Sequence, residues 1–254
     1  MMLRRHLLLL SVTGLTPLAT QAQHANEVAE RAAQLEWVAG DLPPFAWRSP
    51  AGPRGYAHDL VLLMAQQIGR STQVSYYPWA RAVQLVERSD RIGVFPLART
   101  PDREQRFQWL VPLMTVRYVL ITPATDKRLS LDQLRPLRVG VLRGSPILRN
   151  LQAESFKTII DAKDYKDLLR MLVGGNLDVV YAGAPMIDAA MGEYGYPRQQ
   201  FTVHQALGEA KLYMAASLGL APEEAKLWQK AYQQLEDNGS VERLRRRYFP
   251  LDKH

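Results

Sequence analysis

The chain has 254 residues, 47% of them hydrophobic, no cysteine and a formal charge of +7. That length can bury one large core or two smaller ones, and the missing thiols exclude a disulfide framework and a lipid anchor on an N-terminal cysteine. The positive charge is scattered apart from Arg243-Leu-Arg-Arg-Arg247, and no aromatic-interleaved basic stretch occurs, so nucleic acid is not an expected partner.

Arg4 and Arg5 precede an apolar stretch from Leu7 to Leu18, and Thr20-Gln-Ala22 offers small residues for cleavage. This three-part pattern predicts a secretory signal peptide over residues 1–22, too short and too broken by Gly14 and Pro17 to span a membrane. The mature protein is therefore expected to be exported, without a lipid anchor.

Leu35 to Ala39 alternates and stops at Gly40, which predicts a first strand, and Asp41-Leu-Pro-Pro-Phe45 follows as a rigid loop. Gly55-Tyr56 opens a helix through Leu60, Val61, Met64 and Ile68, closed by Gly69. Gln73 to Tyr77 predicts a strand, Pro78-Trp79 a second helix, and Ile92 to Pro96 a third strand. This βαβαβ order points to a parallel sheet with helices on its faces, where ligands sit at the carboxyl ends of strands. Asp41–Phe45 and Ala98–Arg103 both fall at such ends.

After a β-branched run from Val116 to Thr122 the rhythm restarts. Leu137–Leu142 predicts a strand, Gly144-Ser145-Pro146 a helix start, and Thr158–Ile160 a short strand. Asp164 caps a helix ended by Gly174-Gly175, Leu177–Tyr181 is a strand, and Pro185 begins another helix. Lys211–Ala216 gives a strand, and Pro222–Asn238 and Ser240–Tyr248 give two closing helices. Two such units joined by β-linkers imply an α/β protein of two lobes with a cleft between them.

Arg99-Thr-Pro-Asp-Arg-Glu104 follows the third strand. Thr100 suits an N-cap and Pro101 the first helical position, but Arg103 would oppose the positive end of a helix dipole. Two readings stay open locally: an ion pair with Asp102, Glu104 or a neighbour, or a guanidinium fork aimed at an anion. No nucleophile elbow, metalloprotease helix or glycine-rich phosphate loop is present, and the five histidines show no metal spacing. Nothing proposes an enzyme, a cofactor or a metal.

Several segments together resemble the extracellular solute-binding proteins of family 3, best known as amino-acid-binding components of ABC transporters. They are Asp41–Phe45, Gly55–Leu60, Pro78-Trp79-Ala-Arg81, Arg99–Glu104, Val139–Ser145, Gly175–Val180 and Asn238–Leu244, in that order. The resemblance implies a type II periplasmic binding protein fold, each lobe a mostly parallel sheet flanked by helices, with two hinge strands. The chain would cross near Val116–Thr122 and return near Gly208–Met214. That gives lobe one over 23–118, lobe two over 119–210, and a return to lobe one over 211–254. It further implies a periplasmic monomer that closes over a small-molecule solute by hinge motion and presents it to a membrane permease.

Position by position, Arg103 matches the family arginine that holds a ligand α-carboxylate, and Trp79 an aromatic that packs on the ligand. Asp41 and Phe45 lie in a loop lining the same cleft, Arg143 adds a second cation, and Gly144-Ser145 offers N–H groups to an anion. Ala98 and Tyr181 complete the expected lining. Core packing for Trp79 and Phe45, and a plain turn for Gly144-Ser145, are the structural alternatives. Two departures stand out. Ala98 replaces a frequent Thr or Ser, and Gly183 stands where the family often has the Asp that pairs with a ligand α-ammonium. A buried ammonium without a partner is costly, so Gly183 argues against an ordinary α-amino acid unless Asp41 or another acid substitutes. Two other roles fit the same scaffold: a cyclohexadienyl-dehydratase-like enzyme, or a ligand sensor serving a membrane receptor.

Overall fold

A computed structural model describes residues 34–125 and 127–250. The expected signal peptide therefore lies outside the described residues.

Eight strands form one continuous sheet. Its first half is parallel: β1 (Glu36–Ala39) lies between β4 (Val74–Tyr76) and β5 (Ile92–Ala98). Its other half is also mostly parallel, with β7 (Arg138–Leu142) between β8 (Thr158–Ala162) and β9 (Val179–Gly183). Two 17-residue strands join the halves: β6 (Phe107–Pro123) and β10 (Phe201–Ser217) run antiparallel to each other along most of their length. The resulting order is β4-β1-β5-β10-β6-β9-β7-β8. The β-branched run at 116–122 and the strand expected at 211–216 foretold these strands but not their length, because each continues past the hinge into both halves.

The register of β10 against β6 shifts between Val203 and Ala206 and again between Ala206 and Glu209. Gly208 sits in this irregular stretch with φ +84°, a left-handed backbone that disfavours a β-carbon, and an added Cβ would meet the Asn150 amide at 2.8 Å.

The helices cover the sheet in two groups. In the first half, α1 (Tyr56–Gln67) packs against α7 (Pro222–Asp237) and α8 (Ser240–Tyr248), and α2 (Trp79–Glu87) against β1, β5 and β10. Trp37 anchors this core, its ring 5.1 Å from Trp228 and 5.6 Å from Phe95. Gly93 opposite leaves that ring its space, since a Cβ there would lie 2.5 Å from it. Buried Glu224, in the first turn of α7, accepts from the backbone N–H of Leu35 and the indole of Trp228 and pairs with Arg70 beyond α1. The final helices are thereby tied to the first strand.

In the other half, α5 (Tyr165–Val173) and α6 (Ala184–Glu193) pack on β6, β7 and β9. Asp164 caps α5 as the sequence predicts, accepting from the Asp167 N–H at 2.7 Å. Two features escaped the sequence reading: the hairpin of β2 (Trp47–Ser49) and β3 (Gly52–Arg54), and the one-turn α3 (Leu131–Leu134).

Candidate functional site

Thr100 does stand at the N-cap position, but the turn it opens, Pro101–Arg103, is a single 3-10 turn, and Arg103 ends it. A helix of three residues has too few aligned peptides for a dipole argument, so the reason for Arg103 lies elsewhere. Its side chain is only 5% exposed. Nη1 donates to the Ala98 carbonyl at 3.3 Å, and Nη2 crosses to the other half of the sheet to reach the Gly144 carbonyl at 2.9 Å. Among the described residues no carboxylate forms an ion pair with it. Burial pulls its pKa down to about 10, and the attraction of Asp102 offsets only part of that. The hydrogen bonds of this guanidinium go to neutral carbonyls.

Arg103 lines a cavity of about 20 Å³ with Trp79, Ala98, Tyr118, Ser145 and Met186 among its walls. That volume holds about one water, so any larger solute requires the two halves to part. Burial pushes the phenols of Tyr118 and of Tyr165, another wall residue, well above the ordinary tyrosine range, which keeps both neutral hydrogen-bonding groups. A second cavity of about 90 Å³ adjoins it, sharing Leu42, Trp79 and Leu142, and it carries Asp41, Arg48, Lys163 and Asp164.

The two halves also touch directly around Arg103. Arg149 Nη1 of α4 (Leu148–Ala153) lies 3.1 Å from Asp102 Oδ1. Gly144, at φ +79°, comes so close to α2 that an added Cβ would sit 3.0 Å from the Ala80 backbone. The conformation is closed.

The residues expected at the site divide accordingly. Trp79, Ala98, Arg103 and Ser145 share the smaller cavity, and Gly144 bonds Arg103 from across it. Asp41 lines the second cavity but is held by Arg48, whose backbone N–H and guanidinium both donate to it. Five expectations need correction. Gly144-Ser145-Pro146 starts no helix, since α4 begins at Leu148. Instead of offering N–H groups to an anion, Gly144 presents its carbonyl to Arg103, and the Ser145 N–H is used by the Leu142 carbonyl at 3.0 Å. Arg143 turns outward, more than half exposed, onto Asp161. Phe45 is fully buried between Tyr56 and Phe249, in the core rather than the cleft. Tyr181 is fully buried too, its hydroxyl bonded to the Leu207 carbonyl and the Asn150 amide at the hinge.

Sequence reasoning missed Tyr118, Tyr165 and Met186 as wall residues. Tyr165 directly follows the Asp164 cap, and Met186 lies one turn past Gly183, so placing the predicted helices against the cleft could have found both. Among the described residues no group of three or more His, Asp or Glu is gathered as a metal site.

A family model described as bacterial extracellular solute-binding proteins, family 3, matches residues 37–251. The chain belongs to this family. Among curated proteins no sequence relative is detected. Solved structures share the fold at low identity. One is a histidine kinase sensor domain with similarity to periplasmic binding proteins, at TM-score 0.77 and 17% identity, covering 87% of this chain and 98% of that one. Another is the P235GK mutant of ArgBP from T. maritima, at 0.77 and 15%, covering 89% and 99%. A third is the amino acid ABC transporter substrate-binding protein AbpA from Streptococcus pneumoniae, bound to L-arginine, at 0.74 and 18%, covering 88% and 97%. The family-3 protein has the type II periplasmic binding protein fold: two α/β lobes on one sheet, joined by β6 and β10. No helix among the described residues is long and apolar enough to cross a membrane.

Proposed function

We propose that this family-3 protein is a periplasmic, monomeric binding protein that captures a small carboxylate-bearing solute between its lobes and delivers it to an ABC-type permease. The supporting observation is Arg103: buried, in no ion pair with a carboxylate among the described residues, and donating to two carbonyl oxygens that an incoming carboxylate can replace. In this reading a solute carboxylate takes the place that the Gly144 carbonyl holds on the fork. Lobe opening about β6 and β10 then frees the guanidinium for a solute, and reclosure expels water around it. The cavity's lining, a guanidinium with phenols, a serine and apolar walls, suits holding a ligand more than proton transfer. The export pattern at residues 1–22 and the boundaries at 118/119 and 210/211 belong to the same proposal.

Likeness to a histidine kinase sensor domain favours a second role for the same site, reporting the solute to a membrane receptor. Calorimetric titration of wild type and Arg103→Gln with a panel of carboxylic acids tests the clamp. Loss of at least ~100-fold in affinity in the variant is expected, as for a charged bond partner removed from a buried site. Unchanged affinity overturns it. Uptake of the bound acid by cells lacking this gene then separates transport, which the deletion abolishes, from sensing, which leaves uptake intact.

A further inference from the structure

Resting on that clamp, we infer that the solute is a carboxylic acid with an apolar body and an uncharged α position, and not an α-amino acid. An α substituent lies within two bonds of its carboxyl carbon, so it shares whatever cavity Arg103 holds the carboxylate in. Among the described residues lining that cavity there is no Asp or Glu. The walls are instead the hydrocarbon of Leu42, Trp79, Leu142, Met186 and Leu212, the phenols of Tyr118 and Tyr165, and Ser145. An ammonium there loses its water and gains no anion from the protein. A hydrogen, hydroxyl or keto oxygen carries no such cost, and the neutral phenols can bond the last two.

The nearer acids do not rescue the ammonium. Asp41 is engaged by Arg48, and Asp164 by the Asp167 N–H, both in the neighbouring cavity beyond Leu42, Trp79 and Leu142. They are placed to meet the far end of a longer solute, not its α position. Gly183 packs against two of the wall residues: an added Cβ there would meet Met186 Sδ at 2.5 Å and Tyr118 Cε1 at 3.6 Å. Met186 fills the space that a side chain at Gly183 would need. An apolar sulfur stands where an acid could.

The test compares isosteric pairs by calorimetry: 4-methylpentanoate against L-leucine, and 3-phenylpropionate against L-phenylalanine. The acid lacking the amine should bind on the order of 100-fold more tightly in at least one pair, as expected for a site that leaves a buried charge unpaired. Gly183→Asp combined with Met186→Ala should narrow or reverse that ratio. If the double variant does not fold, the wild-type ratio alone decides. Equal or tighter binding of the amino acid in both pairs overturns the inference, while Arg103→Gln abolishing that binding leaves the clamp standing. If neither member of either pair binds to wild type at millimolar concentration, the inference fails for these bodies. Unaltered binding of the wider acid panel by Arg103→Gln then removes the clamp with it.

Discussion

Replacing Arg103 by Met should remove ligand binding and yet stabilise the empty protein. The wild-type guanidinium is 5% exposed and its pKa falls from 12.5 to about 10. At about 1.4 kcal/mol per unit, that depression corresponds to a cost on the order of 3 kcal/mol for carrying the charge in the folded state. Substitution forfeits two bonds to carbonyls, one of them long at 3.3 Å, together about 2 kcal/mol. Met preserves most of the buried volume and lies flat against Trp79 and Leu212. The net expectation is a gain of about 1 kcal/mol, or 2–4 °C in Tm for a chain of this size. Because the native and unfolded pKa values both lie far above neutrality, the gain should not vary between about pH 5 and 9. Differential scanning calorimetry of ligand-free wild type and variant measures it. A fall in Tm of several degrees would refute the reasoning, because Arg103 would then be a net tie between the lobes rather than a charge kept for its ligand.

Other expectations follow from contacts of known geometry. Glu224→Ala breaks the buried junction of Leu35, Arg70 and Trp228 and should cost about 3 kcal/mol, a fall of 6–12 °C in Tm. Arg149→Ala removes the exposed interlobe pair with Asp102, so global stability should change by less than about 1 kcal/mol. Small-angle scattering of the empty protein should nevertheless show a larger radius of gyration, and an unchanged radius would count against a closed-state tie. His204 is buried, with Nδ1 accepting from the Leu129 N–H at 3.0 Å and Nε2 bonded to Thr122. Burial, aided by Arg128, lowers its pKa from 6.5, and burial does the same to His58. The neutral rings therefore stabilise the fold above pH 6.5, and that contribution is lost as pH falls below it through the depressed native values. Tm measured from pH 7.5 to 4.5 should decline, and more gently in His204→Gln.

Periodicity exposed the elements because apolar spacing is a local property, so both βαβαβ units stood out. It could not show that β6 and β10 each serve both halves, since that depends on pairing partners nearly a hundred residues away. Within the site, Arg103 was marked by its place after a strand end, and Trp79 only by the family resemblance. Phe45 and Tyr181 were not separable from cleft residues by the same logic. A side chain's approach to a strand end says nothing of which layer it enters, and contacts with Phe249 and Leu207 decided both. Arg143 illustrates strand parity: its backbone N–H pairs with the Ala162 carbonyl, and its side chain takes the outward face with Asp161.

The bond from Leu35 to Glu224 spans 189 positions. During synthesis, the strands and helices between β6 and β10 are complete before α7 and α8 exist, whereas β1 and α1 must wait for them. Loop closure over that distance is slow, so the middle of the chain should assemble first and the outer portions last. A ribosome-stalled chain ending near residue 220 should therefore resist protease over its central segment while remaining cleavable around Trp37.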